Sequence, residues 1–165
     1  MRATQEAAFV EFVATRRDQL RRIAYGMCGD WHAADDLTQT ALVKLYAAWP
    51  RVERKGREDA YVRRILLNAA IDAARRPHRR DALTDTVPDV ARADPALALH
   101  DTRDALLAAL QQLPAEQRAV VLLRHWLGLA VAEVAATLDL PEGTVKSHTS
   151  RGLAALRCHL ESADA

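Results

Sequence analysis

The chain is poor in the residues that staple or turn small folds. It has two cysteines in 165 residues, Cys28 and Cys158, far apart in sequence. That excludes a disulfide framework, and both read as small, half-buried hydrophobes. Cys28 and His32 make half of a metal-site pattern, and no second close Cys/His pair completes it. No metal and no cofactor are expected. Six glycines and six prolines leave little room for a many-turned all-β fold. Aromatic residues are only 5%, so the apolar half of the chain is largely Ala, Leu and Val, which favours helix. No run approaches the ~20 apolar residues of a membrane span. The start, MRATQEAAFVEFV, is charged and amphipathic rather than signal-like. A cytoplasmic protein without membrane insertion is expected. A net charge of +1 excludes a generic polyanion binder.

What charge there is lies segregated. Between Tyr61 and Arg80 stand Arg63, Arg64, Arg75, Arg76, Arg79 and Arg80 against Asp72 alone. Between Asp81 and Asp104 six aspartates face only Arg92 and Arg103. A basic helix followed by an acidic tether implies local electrostatics.

Apolar periodicity gives a helix over Glu6 to Met27, with Phe9, Phe12, Val13, Leu20, Ile23, Ala24 and Met27 inward. Gly29 ends it and Asp30 caps the next helix, which runs to about Trp49 with Leu37, Ala41, Leu42, Leu45 and Trp49 inward. Pro50 to Asp59 reads as a charged loop. A third helix, about Ala60 to Arg76, buries some combination of Val62, Ile65, Leu66, Ala69, Ile71 and Ala73. It projects Tyr61, Arg64, Asn68, Asp72, Arg75 and Arg76, and Pro77 stops it. Arg80 to about Ala98 has no sustained period and holds Pro88 and Pro95, so it reads as a linker. Helix returns at about Leu99 to Leu113, with Leu106, Leu107, Leu110 and Leu113 inward. Ala115 to Leu127 follows, carrying Val120, Leu122, Leu123 and Trp126.

The last stretch organises the rest. Val131, Val134, Ala135 and Leu138 share one helix face. Asp139 and Leu140 interrupt it, and Pro141 can open a new helix because its missing N–H is not needed in a first turn. There Val145, Thr149, Leu153, Leu156 and Leu160 form an inward stripe, and Lys146, Ser147, Ser150 and Arg151 lie opposite. This is the pattern of a helix-turn-helix, whose second helix sets its N-terminal residues against base edges. An ordinary helical hairpin with a solvated face is the competing reading. The expected fold is all-α, two small helical modules over residues 5–79 and 101–162 joined by a linker over 80–100.

Three segments carry a resemblance. GDWHAADDLTQTALVKLYAAW resembles the second conserved region of bacterial extracytoplasmic-function (ECF) sigma factors, and AYVRRILLNAAIDAARR is similar to the promoter-melting helix that follows it. LPAEQRAVVLLRHWLGLAVAEVAATLDLPEGTVKSHTSRGLAALR resembles their fourth region. The wording NAAID and SRGLAAL looks most like the sigma-E-type subfamily of actinobacteria. The resemblance implies a non-enzymatic factor that joins core RNA polymerase, through the β′ clamp helices and the β flap, and directs it to promoter DNA. It leaves room for an anti-sigma partner. By motif position, Asp35, Asp36, Gln39 and Thr40 fall at the clamp-binding face. Tyr61, Arg64, Asn68, Asp72, Arg75 and Arg76, with the loop from Pro50 to Asp59, fall at the minus-ten strand. Thr144, Lys146, Ser147, Ser150 and Arg151 fall at the minus-thirty-five element. Three positions depart from the family pattern: Thr40 stands where Glu is usual, Ala130 replaces a common Ser cap, and His148 occupies a position that is often Arg or Gln.

Two other functions compete. A helix-turn-helix activator would bind duplex DNA without polymerase, but its partner domain would show βα alternation or a ligand pocket, and the first half here is helical. A bundle enzyme built on Cys28, His32, Asp35 and Asp36 would need a nucleophile–base–orienter set, and adjacent aspartates point to different sides of a helix.

Overall fold

The computed structural model describes residues 1–76, 95–163 and 165, with side chains in the second stretch from Asp101 onward. Seven α-helices and no strand occur among them: α1 (Ala3–Cys28), α2 (Trp31–Val52), α3 (Glu58–Ala74), α4 (Pro95–Gln112), α5 (Ala115–Val121), α6 (Val131–Leu138) and α7 (Glu142–Ala163).

The first module is α1 to α3. Gly29 ends α1 in the left-handed region, φ 71°, and its N–H returns to the Tyr25 carbonyl. Asp30 then accepts from the backbone N–H groups of His32 and Ala33, so the α1–α2 corner is set by two adjacent residues. The helix pair closes on Leu20, Ile23, Ala24 and Met27 from α1 and Ala41, Leu42, Leu45 and Trp49 from α2. Phe9 meets Tyr46 and Trp49 edge-on, with ring centroids 5.0 and 5.2 Å apart. Val62, Leu66, Leu67, Ala70 and Ile71 seat α3 against them. Ile65 and Ala69, expected inward, are half-buried, and Ala73 is exposed.

The expected loop after Trp49 is mostly helical. α2 runs through Pro50 to Val52, a single 3₁₀ turn (Glu53–Lys55) follows, and α3 begins at Glu58. Proline removes a backbone donor, but here burial of Trp49 and Val52 on either side holds the last turn in place. The linker expected over 80–100 lies mostly outside the described residues. Its last residues, from Pro95, are helical, with proline at the first helical position where its missing donor costs nothing.

The second module is α4 to α7. α5 continues into one π-helical turn, Leu122–Trp126. Trp126, at the end of that wide turn, is 51% exposed. Leu106 and Leu153, expected inward, are exposed, whereas Leu110, Leu113, Val145 and Leu156 are buried. Gly152 lets α7 cross close over α5: a Cβ there would stand 2.6 Å from Val121 Cγ2. The buried side chains of both modules form one continuous cluster, so the modules pack against each other.

Candidate nucleic-acid interface

The second module builds its polar face on a helix pair. α6 ends at Asp139, the only non-glycine residue with positive φ among those described (55°). Left-handed backbone at a non-glycine residue is uncommon, though Asp adopts it more readily than most. It makes the turn tight: the Leu140 N–H reaches the Ala135 carbonyl at 3.0 Å, and the Val145 N–H reaches that of Pro141 at 3.1 Å. At the start of α6, Glu133 accepts from the Ala130 N–H at 2.8 Å. Alanine cannot return a side-chain bond, so only half of a capping box is present.

Along α7, Lys146, Ser150 and Arg151 are exposed. Thr144 and Ser147 are half-buried, and the Ser147 hydroxyl donates to the Thr144 carbonyl at 3.3 Å. The outer face expected from the sequence is therefore narrower, two cations and one hydroxyl. His148 is turned inward, its side chain 17% exposed and its Nε2 3.6 Å from Glu116 Oε2.

On α3, Arg64, Asn68, Asp72 and Arg75 recur at helical spacing and are exposed, as is Arg76. Tyr61 is half-buried, packed on the core rather than projecting. Asn68, Asp72 and Arg75 face a cleft of about 290 Å³. Ile71 forms part of its floor, and Glu116, Leu138 and Leu140 of the second module complete the wall. Arg75 Nη2 donates to Glu116 Oε1 at 2.9 Å.

The four α2 residues separate into two roles. Asp36, Gln39 and Thr40 are exposed. Asp35 instead accepts from Arg21 Nε and Nη2, at 2.5 and 3.3 Å. The hydrogen bond from Arg21 holds the Asp35 carboxyl below the usual carboxylate range. Arg21 also lies over the Trp31 ring at 4.3 Å, and Trp31 stacks on Tyr25 at 3.8 Å. Gln39 borders an apolar groove with Phe9, Val13, Leu42, Val43 and Tyr46, beside exposed Val10 (60%) and Val43 (59%).

Cys28 is half-buried, with its Sγ 3.2 Å from the Asp30 carbonyl, and burial pushes its thiol pKa up. No group of three or more His, Cys, Asp or Glu fit to hold a metal occurs among the described residues, and no helix there is long and apolar enough to cross a membrane.

The sequence reading missed three residues between the modules. Arg118 is 2% exposed. Its Nε donates to the Leu110 carbonyl at 2.7 Å, and its Nη2 to those of Gln111 (3.1 Å) and Leu113 (2.9 Å). Its Nη1 donates to the Gln111 side-chain oxygen (3.0 Å) and to the Met27 carbonyl. Gln111 Nε2 donates to the Gly26 carbonyl at 3.2 Å, and Glu116 accepts from Arg75 at 2.9 Å while lying 3.6 Å from His148 Nε2. The one advance signal was Gly26, a lone glycine inside a strong helical pattern.

Comparison with known proteins agrees with this architecture. Residues 12–80 match the family model Sigma-70 region 2, and residues 103–156 match Sigma-70, region 4. The chain is 41% identical to the RNA polymerase sigma-E factor of Streptomyces avermitilis, across 94% of this chain and 87% of the relative. It is 39% identical to that of Streptomyces coelicolor, across 94% and 88%. Among solved structures, the sigma factor RpoE of Bartonella quintana, determined in complex with the anti-sigma factor NepR, superposes with a TM-score of 0.73 at 25% identity, covering 93% of this chain and 97% of that one. With both sigma regions in order and relatives matched along most of their length, the chain belongs to the ECF family of RNA polymerase sigma factors.

Proposed function

We propose that this chain is an alternative sigma factor that docks on core RNA polymerase through α2, reads the minus-ten element with α3 and reads the minus-thirty-five element with α7. It works in the cytoplasm, where polymerase and promoter are. The observation that carries this reading is the pairing of two polar faces with two sigma regions in order. One is the exposed row Arg64, Asn68, Asp72 and Arg75 on α3, and the other is Lys146, Ser150 and Arg151 on α7.

The division of labour has a physical basis. A melted strand offers splayed bases, read by polar groups beside a positive track, which suits Asn68 and Asp72 flanked by Arg64, Arg75 and Arg76. Extruding bases costs a few kcal/mol, more than one small helical face supplies, so polymerase is required for melting. A duplex element is read in the major groove by a helix N-terminus. Lys146 and Arg151 supply phosphate or base-edge contacts there, and exposed Ser150 supplies a shorter donor. Exposed Asp36, Gln39 and Thr40 form the clamp-helix contact. The exposed face of the second module meets the β flap. By analogy with the solved RpoE–NepR complex, an anti-sigma factor is a further partner.

The test is a pull-down of the purified chain with core polymerase at moderate salt, followed by transcription from a random promoter library. Stable binding with start sites sharing upstream motifs is the expected result. Failure to bind polymerase, with sequence-specific binding to free duplex instead, would refute it in favour of a helix-turn-helix activator.

A further inference from the structure

The N-terminal end of α7 carries a charge of the opposite sign to its two exposed cations. Glu142 is the first residue of the helix and is exposed. Among the described residues no hydrogen bond or ion pair holds its carboxylate. Lys146 stands four residues on, in the favourable order for a surface pair on one helix. No ion pair joins the two, so both groups are free for a partner outside the chain. Gly143, next to Glu142, has nothing within 4 Å of where a Cβ would stand, so the first turn is uncovered on that side.

Glu142, Lys146 and Ser150 follow at intervals of four, each one turn along and about 40° around from the last. They span about 12 Å of helix axis, the length of about three to four base pairs. His148 takes no part in this strip: its side chain is 17% exposed and faces Glu116. An acid in a first turn complements the helix macrodipole, and that role alone would serve every DNA sequence equally. On a helix whose N-terminal residues meet base edges, the carboxylate also selects. It accepts hydrogen bonds and donates none. In the major groove, guanine N7 and O6 and thymine O4 are acceptors, which repel it. Adenine sets its N7 acceptor beside its amino group, whereas cytosine presents the amino donor alone. Lys146, which only donates, matches guanine one turn further on.

We propose that Glu142 is a specificity-determining residue, whose carboxylate accepts from the amino group of a cytosine in the minus-thirty-five element and rejects guanine and thymine at that position. The inference rests on the function proposed above, in which α7 reads the duplex. Where the cytosine is missing, the carboxylate stands near phosphates with no donor, so it weakens binding to every mismatched site.

Holoenzyme assembled from the full chain and core polymerase, transcribing a library randomised upstream of the start site, reads each base position separately. Wild type is expected to favour cytosine at one position, with guanine and thymine there disfavoured about 5- to 100-fold. Glu142→Ala should flatten that preference and leave the other positions unchanged. It should also bind mismatched duplexes about two- to fivefold tighter. Glu142→Gln should move the preference to adenine, whose N6 and N7 a glutamine side chain engages together. Lys146→Ala should relax a different, neighbouring position. A cytosine preference that survives Glu142→Ala would overturn the proposal. So would an even loss of affinity for all sequences, which a helix-end role alone produces. If the chain fails to bind polymerase, the sigma reading fails. Selection of duplexes from the same library by the full chain then decides Glu142 by the same position-specific shift, and the absence of any selected motif overturns it too.

Discussion

Arg118→Leu is the substitution with the largest effect to be worked from the structure. The guanidinium is buried and donates to the Leu110, Gln111 and Leu113 carbonyls around the α4–α5 corner and to that of Met27 at the end of α1. These carbonyls sit at or near helix C-termini, where intrahelical donors run out and the macrodipole favours a cation. Leucine keeps much of the apolar packing and none of the donors, so the cost is that of stranding buried acceptors. Each such bond to a charged group is worth about 1.5–3 kcal/mol, and these values are not additive. Breaking a buried charged network costs about 3–5 kcal/mol, a large part of a domain's total of about 5–15 kcal/mol. With a urea m-value of about 2 kcal/mol/M, the unfolding midpoint should fall by roughly 1.5–2.5 M. Arg118→Lys keeps the charge but not the planar fork, and is expected to lose about half as much. Urea unfolding followed by circular dichroism checks both. A destabilisation under about 1 kcal/mol in Arg118→Leu, or a lysine variant as stable as wild type, would refute the assignment of this side chain as the corner's common donor.

Three further outcomes follow from individual side chains. Gly152→Ala should destabilise by about 1 kcal/mol despite better helix propensity, because overpacking against Val121 at 2.6 Å costs about 1–3 kcal/mol and exceeds the gain of about 1; Val121→Ala in the same chain should recover most of the stability, and thermal unfolding reads both. Asp36→Ala should weaken competition for core polymerase several-fold, whereas Asp35→Asn should act chiefly on stability. Because Arg21 depresses the Asp35 carboxyl, that contribution is complete above the unfolded carboxylate range near about pH 4 and disappears only as pH falls through the lower folded value, so the asparagine variant should match wild type only in strong acid. Lys146→Ala and Arg151→Ala should reduce promoter-directed transcription while leaving polymerase binding intact. Removing one cation from a phosphate should lower the log–log salt slope of promoter binding by about 1, measured by titration between low and moderate salt.

What was legible in the sequence was local. Gly29 followed by Asp30 specifies a left-handed stop and an N-cap within two residues, and the α1–α2 corner follows from them. The turn between α6 and α7 was readable as an interruption, although its left-handed position is taken by Asp139 rather than a glycine. Errors arose where packing overrode a local rule. Pro50 reads as a stop, yet burial of Trp49 and Val52 carries the helix past it. The helix read over Ala115 to Leu127 contains a π turn, which leaves no composition signal, and Trp126 at its end is exposed. Leu106 and Leu153 fit the apolar period but lie at its edge, where period alone does not distinguish a covered residue from an uncovered one.

The polar residues show the same boundary more sharply. Asp35 and Asp36 are chemically identical neighbours, and motif position alone assigns both to a partner surface. About 100° of helical rotation separates them: one faces Arg21 across the α1–α2 contact and the other faces solvent. On α7, Ser147 and Ser150 read alike as donors, but the first spends its hydroxyl on the Thr144 carbonyl and the second is exposed. Glu116 and Arg118 lie two residues apart in LPAEQR, where the sequence offers only an amphipathic helix start. One ends on the α7 histidine and the α3 arginine, the other on the last carbonyls of α4 and α1. A motif therefore locates which helix carries a function. Which side chain remains available for it is decided by partners as many as 91 residues away in sequence, such as Met27 for Arg118, and only the folded chain supplies those.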